Sequence, residues 1–168
     1  MKSETFEHFF GGWKEAKARR WTNPDGSVGG IVAVDAVLPE ETYVPESSVV
    51  WPNASIGDGA SIGDCASIGY GASIGDGASI GQGASIGQGD WHLSGGPCGS
   101  RNAMWTAVYS QEHGLRWWVG CKRGVSSDVL RKMVSDTHGN GPRADDYMAA
   151  IAFVESHPGL ARAKAKDC

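Results

Sequence analysis

The residues able to do chemistry in this chain are few. Cys121 and His138 would supply a thiol nucleophile and an imidazole base, with Arg101, next to Ser100, holding an anion. His92, between Trp91 and Leu93, is the imidazole nearest the regular repeat of the chain. Each has a plainer reading that carries more weight. Cys121 shares the apolar strand phase of Leu115, Trp117 and Val119, so it reads as a small core residue. His138 falls in the last turn of an expected helix, where it favours the dipole and the free carbonyls. Arg101 would pin a hairpin. In the Trp117-Trp118 pair, strand alternation sends one indole inward and leaves Trp118 as an interface anchor. Cys65, Cys98, Cys121 and Cys168 show no CxxC or other metal-ligand spacing, so no metal site is expected. No catalytic residue is assigned. His92, Cys121 and His138 stand as catalytic candidates, and Ser100, Arg101, Trp118 and His138 as ligand- or partner-binding ones.

The elements that must position these groups start with a repeat. From Ala54 to Gly89 the chain reads ASIGDG ASIGDC ASIGYG ASIGDG ASIGQG ASIGQG. An isoleucine recurs every six residues from Ile56 to Ile86, and an alanine follows it by four, from Ala60 to Ala84. The same frame runs backwards through Val50/Ala54, Val44/Ser48, Leu38/Thr42 and Val32/Ala36 and breaks at Asp90, which bounds the repeat at 32–89. A flexible glycine linker does not keep a strict apolar period. Each hexapeptide therefore supplies a short strand, with Ile and Ala inward, and a glycine corner where positive φ is needed. A single coil buries little, so stability must come from stacking.

This frame resembles the hexapeptide-repeat family of left-handed β-helices. The resemblance implies three hexapeptides per triangular coil and homotrimers packed along their axes. An 18-residue coil would stack Glu40, Asp58 and Asp76 on one corner, Glu46, Asp64 and Gln82 on the next, and Pro52, Tyr70 and Gln88 on the third. Carboxylate rungs about 4.8 Å apart repel by only about 1 kcal/mol per pair in water, so a solvated acidic edge is expected, not a cation ladder. Known members of the family include acyltransferases that use acyl-coenzyme A with a histidine base, and γ-class carbonic anhydrases that bind zinc through three histidines. Between Val32 and Gly89 there is no histidine. Neither chemistry transfers to residues that are absent, and no cofactor is expected. His92 is left as the base of an alternative acyltransferase reading, against its use as a plug that turns the chain out of the last coil.

The flanks read differently. Residues 1–31 form an N-terminal cap, with Glu4 to Arg20 as one helix or two broken at Gly11-Gly12, and with Phe9, Phe10, Trp13 and Trp21 over the open end. Asn23-Pro24-Asp25-Gly26 is a turn. Residues 95–160 read as an α/β (ββαα) module. Met104–Tyr109 and Leu115–Val119 form a hairpin. A helix capped by Ser126 or Ser127 buries Val129, Leu130, Met133 and Val134, and a second opens at Pro142 and stops at Pro158-Gly159. Residues 161–168 would be a disordered tail. The fold class is therefore mainly β: a short left-handed parallel β-helix with a C-terminal α/β module.

Across nearly its whole length the chain also resembles a set of phage and prophage hexapeptide-repeat proteins, through GSVGGIVAVDAVLPEETYV, the repeat, GSRNAMWTAVY, GLRWWVGCKRG, DTHGNG and DDYMAAIAFVE. That resemblance implies a viral or prophage origin and transfers no activity. A net charge of −4 lacks the basic stripe of a nucleic-acid binder. No apolar run approaches the roughly 18 residues that span a membrane, and MKSETFEHFFGG is no export signal. The expectation is a cytoplasmic, non-enzymatic, homo-oligomeric scaffold, a trimer, whose terminal module engages a host protein, as an inhibitor of a host system would. The alternatives are an acyl-CoA acyltransferase and a nucleotide-like small-ligand binder using Arg101 and His138.

Overall fold

The computed structural model describes residues 4–11, 15–98, 103–120 and 122–165. Ser100, Arg101, Cys121, Trp13 and Cys168 lie outside the described residues. The chain divides into two compact units, Met1–Gly89 and Asp90–Cys168. It is mainly β, with three helices among the described residues, all in the second unit.

In the first unit every six-residue repeat from Val49 onward contributes a two-residue strand: β4 (Val49–Val50), β5 (Ser55–Ile56), β6 (Ser61–Ile62), β7 (Ser67–Ile68), β8 (Ser73–Ile74), β9 (Ser79–Ile80) and β10 (Ser85–Ile86), whereas the Leu38 and Val44 hexads form no strand. They pair in parallel at an offset of 18 residues, as Val50↔Ile68 and Ile68↔Ile86, Ile56↔Ile74, and Ile62↔Ile80. The chain thus returns on itself every third strand and builds three parallel ladders. Ile56, Ile62, Ile68, Ile74, Ile80 and Ile86 are all buried, as are Ala60, Ala66, Ala72 and Ala84. The Ile–Ala period is an inward period.

The corners explain the glycines. Three residues after each inward aliphatic from Val50 onward the backbone has positive φ, at Asn53 (58°), Gly59 (67°), Cys65 (57°), Gly71 (62°), Gly77 (65°), Gly83 (71°) and Gly89 (80°). The amides of Gly71, Gly77 and Gly83 donate to the carbonyls of Pro52, Asp58 and Asp64 one coil earlier. Side chains also join coils: Ser47 Oγ accepts from Cys65 N–H at 2.9 Å, and Asp76 Oδ1 accepts from Asp58 N–H at 3.0 Å. The acidic edge is therefore partly hydrogen-bonded to the backbone.

Cys65 departs from glycine where an L side chain is strained by about 1–2 kcal/mol, a cost partly offset because glycine loses more entropy on folding. Cys65→Gly is expected to stabilise the first unit by a few tenths to about 1 kcal/mol. The midpoint of a chemical denaturation curve, compared with the parent chain, checks this.

The N-terminal helix expected over Glu4–Arg20 is absent. Residues Thr5–Phe9 (β1) and Glu15–Thr22 (β2) are antiparallel strands, and β2 pairs with Val28–Ala33 (β3) through Ala18↔Ala33, Arg19↔Val32 and Arg20↔Ile31. The Ala, Lys and Arg of EAKARRWT favour a helix locally, but pairing with β3 overrides that preference and buries Ala18 and Trp21. β3 then pairs in parallel with β4, so the cap runs without a break into the ladder β4–β7–β10. Residue 31 therefore lies inside a strand and bounds no separate cap. Phe10 is buried against Trp51, while Phe9 is 62% exposed and caps nothing.

The second unit holds a four-stranded antiparallel sheet in the order β11 (Trp91–Cys98), β12 (Ala103–Ser110), β13 (Gly114–Val119), β14 (Lys122–Val125). The expected hairpin is β12–β13, with Tyr109↔Leu115 and Ser110↔Gly114 closing it. Two further strands flank it, so the module begins at Trp91 and not at residue 95, and its order is ββββααα. Helix α1 (Ser127–His138) is capped by Ser126, whose hydroxyl accepts from Val129 N–H at 3.4 Å, and ends at Gly139. Helix α2 (Pro142–Ser156) begins at Pro142. Pro158 opens a third helix, α3 (Pro158–Ala165), where a stop and a disordered tail were expected. Proline suits the first helical position because its missing N–H has no partner there anyway.

The core of this unit contains Trp105, Trp117, Val119, Leu130, Val134, Ile151 and Val154. Val129, expected inward, is exposed. Arg131 of α1 pairs with Glu155 of α2 and ties the helices together.

Candidate functional site

In the first unit, an open groove of about 700 Å³ runs beside the turn between β2 and β3 and the corner column that carries Glu46 and Asp64. Its lining includes Arg20, Val28, Tyr43, Glu46, Ser47 and Asp64. The turn is fastened to the segment beneath it. Trp21 Nε1 donates to Thr42 O at 2.8 Å, and the buried Asn23 accepts from Val44 N–H at 2.9 Å while donating to Ser27 Oγ at 3.0 Å. Asp25 accepts from both the amide and the hydroxyl of Ser27, and these bonds hold its carboxyl below the usual carboxylate range.

Arg20 Nη1 donates to the carbonyls of Glu46 at 3.3 Å and Gly29 at 3.5 Å, which fastens the guanidinium at the edge of the groove. Glu46 and Asp64 stand on successive rungs, 18 residues apart, and neither makes an ion pair with a described residue. The groove therefore presents one cation anchored to backbone carbonyls and two carboxylates that form no ion pair with a described residue. No histidine or cysteine is among its lining residues.

Of the sequence-derived candidates in the second unit, His92, Trp118 and His138 are among the described residues, and each sits on a different element, β11, β13 and α1. His92 lies in β11 opposite Val108, not in a plug that turns the chain. Burial pushes its imidazole below 6.5, and the Asp90 carboxylate only partly opposes this. Trp117 is fully buried, with Nε1 donating to Ser127 Oγ at 3.0 Å, while Trp118 is half-buried on the opposite face of β13. His138 is the last residue of α1 and stacks on Tyr147, with ring centroids 5.8 Å apart and planes 13° from parallel. The Cys98 thiol is pushed up to about 11, first by burial and then by Asp146, so it is no nucleophile at neutral pH. Among the described residues no cluster of three or more His, Cys, Asp or Glu side chains could hold a metal ion. No helix in them is long and apolar enough to cross a membrane.

Sequence reasoning placed Glu46 and Asp64 in one column but missed Arg20, Val28 and Tyr43. The signal that could have found the groove is charge. From Trp21 to Gly89 there are five aspartates and three glutamates and no lysine, arginine or histidine, so Arg20 is the last cation before a 69-residue anionic stretch.

Compared with known proteins, the chain matches no family model, no curated protein and no solved structure.

The His92 shift has a definite sign in stability. A folded-state value below 6.5 means the unfolded chain binds the proton more readily, so stability rises with pH through this window. The second unit is expected to be unaffected by His92 above 6.5, to lose stability as pH falls through 6.5, and to level off below the folded value. Thermal melts across this range for the parent chain and His92→Gln check it. The variant should show the flatter profile.

Proposed function

We propose that the chain is a non-enzymatic, homo-oligomeric binding scaffold of phage or prophage origin. On this reading its first unit is a left-handed β-helix of the hexapeptide type, and its second unit engages a protein partner of the host. The observation that carries the reading is the in-register parallel stacking of residues 18 apart, on three ladders whose outward strand positions from Ser55 onward are all serine. Serine rows offer neither nucleophile activation nor a base, but they form flat faces suited to packing against a second copy. Met104, Val129 and Phe153 in the second unit are exposed apolar side chains, on β12, α1 and α2, that a protein partner could cover.

Light scattering on the full chain tests the assembly. The expected mass is three times the 17.7 kDa of one chain, and a monomer at micromolar concentration removes the oligomeric reading. Calorimetric titration with acetyl-coenzyme A tests the acyltransferase alternative, which requires that the donor bind. Binding that disappears in His92→Ala would give the argument to an acyltransferase.

A further inference from the structure

We infer that the groove between the β2–β3 turn and the Glu46–Asp64 column is a docking site for an extended, basic segment of a partner protein. A lysine or arginine of that segment lies between the Glu46 and Asp64 carboxylates. Its aliphatic stem rests on Val28 and Tyr43, and Arg20 receives a carbonyl oxygen from the segment's backbone.

Four observations support this assignment. The first is electrostatic. Glu46 and Asp64 stand 18 residues apart in one corner column and neither makes an ion pair with a described residue, because Arg20, which also lines the groove, is turned to backbone carbonyls. One cation placed between two carboxylates on neighbouring rungs serves both, and the eight carboxylates of residues 21–89 favour its approach. The second is the apolar wall. Val28 is 62% and Tyr43 50% exposed, so both offer hydrocarbon to a long side chain that keeps its charge at the tip. The third is shape. The groove is open to solvent and not enclosed, which suits a segment of a larger partner better than a small molecule buried on most sides.

The fourth is Arg20, which separates this site from a plain acidic patch. Its Nη1 is spent on the Glu46 and Gly29 carbonyls. That anchoring holds the guanidinium at the edge of the groove and out of an ion pair with Glu46 or Asp64. A segment that brings both a cation and a backbone carbonyl satisfies both ends of the groove, which a bare cation does not. The inference does not rest on the oligomeric state.

The test uses the full chain and a fluorescein-labelled peptide of alternating lysine and alanine, read by anisotropy, with light scattering on the same samples. Saturable micromolar binding is expected, weakening as salt is raised. The double variant Glu46→Gln/Asp64→Asn should bind about tenfold more weakly. The pair Asp58→Asn/Asp76→Asn, which removes the same charge from another corner, should bind like the parent. Tyr43→Ala should weaken binding with no change in salt dependence. Equal loss in the two double variants would mean a diffuse field and no groove, and would overturn the inference. So would peptide binding unaffected by Glu46→Gln/Asp64→Asn, or full competition by free arginine at equimolar concentration. A change of mass without a change of peptide affinity would count against the trimer and leave the groove assignment supported.

Discussion

Gly30→Ala is expected to unfold the first unit. An added Cβ at this position would lie 2.1 Å from the carbonyl oxygen of Ser48, 2.7 Å from that of Pro45 and 3.0 Å from the Ser48 carbonyl carbon. All three are backbone atoms, so no rotamer change relieves the contact. Nor can the opposing turn withdraw cheaply. Ser48 O accepts from Ile31 N–H at 3.1 Å, Ser48 N–H donates to Pro45 O at 2.9 Å, and Ser48 Oγ donates to Gly63 O at 2.9 Å. Moving the turn breaks the bonds that join β3 to the first coil. Overpacking of this kind costs about 3 kcal/mol or more, a large part of the stability of a small domain. The contrast is Gly75→Ala, in the same repeat, where an added Cβ meets nothing within 4 Å and φ is not positive. It should stay within about 0.5 kcal/mol of the parent. Urea unfolding followed by tryptophan fluorescence and circular dichroism checks both. Equal midpoints would mean that β3 does not approach the 45–48 turn this closely.

The contrast between these two glycines also shows what the sequence can and cannot tell. The inward six-residue period of Ile and Ala was legible because it recurs in every repeat from Ala54 to Gly89, whereas the 18-residue register came only from the resemblance to hexapeptide-repeat proteins. The hairpin β12–β13, the Ser126 cap and the Gly139 stop were legible because each rests on a local rule. The N-terminal strands were not. EAKARRWT carries no helix-breaking residue, and only its pairing with Val32 and Ala33 makes it a strand. The same misreading hid the groove, because Arg20 enters it only once β2 is laid against β3 and its guanidinium reaches the Glu46 carbonyl 26 residues away. In the second unit, Trp91, His92 and Leu93, which open β11, read locally as a plug at the end of the repeat. Its sequence WHLSGGPC has weak alternation, and its partner strand β12 supplies the order that its own residues do not. Local chemistry was readable, and contacts between distant segments were not.

Ile68→Asp is expected to abolish folding of the first unit at neutral pH, and to do so through a charge that acid can remove. Ile68 is fully buried, paired on one side with Val50 and on the other with Ile86, which are themselves 0% and 1% exposed. A carboxylate there meets only aliphatic and backbone atoms, with no cation between Trp21 and Gly89 to neutralise it. Loss of the isoleucine packing alone costs about 2–5 kcal/mol, and an unpaired buried charge adds several more, which together exceed the stability of a small unit. Burial would raise the folded-state pKa of the new carboxyl above the usual value near 3.9. The penalty is therefore greatest at neutral pH and shrinks as pH falls toward that value, the reverse of the His92 dependence. The outward control must be chosen with care. Ser67 is half-buried beneath Trp51, whose Nε1 donates to its hydroxyl at 3.0 Å, whereas Ser73 is exposed. Ser73→Asp should therefore fold and melt within about 0.5 kcal/mol of the parent. Soluble yield and circular dichroism at neutral and mildly acidic pH distinguish the cases. A soluble, fully folded Ile68→Asp at neutral pH would mean that the column through Val50, Ile68 and Ile86 is wet and is not the core of the stack.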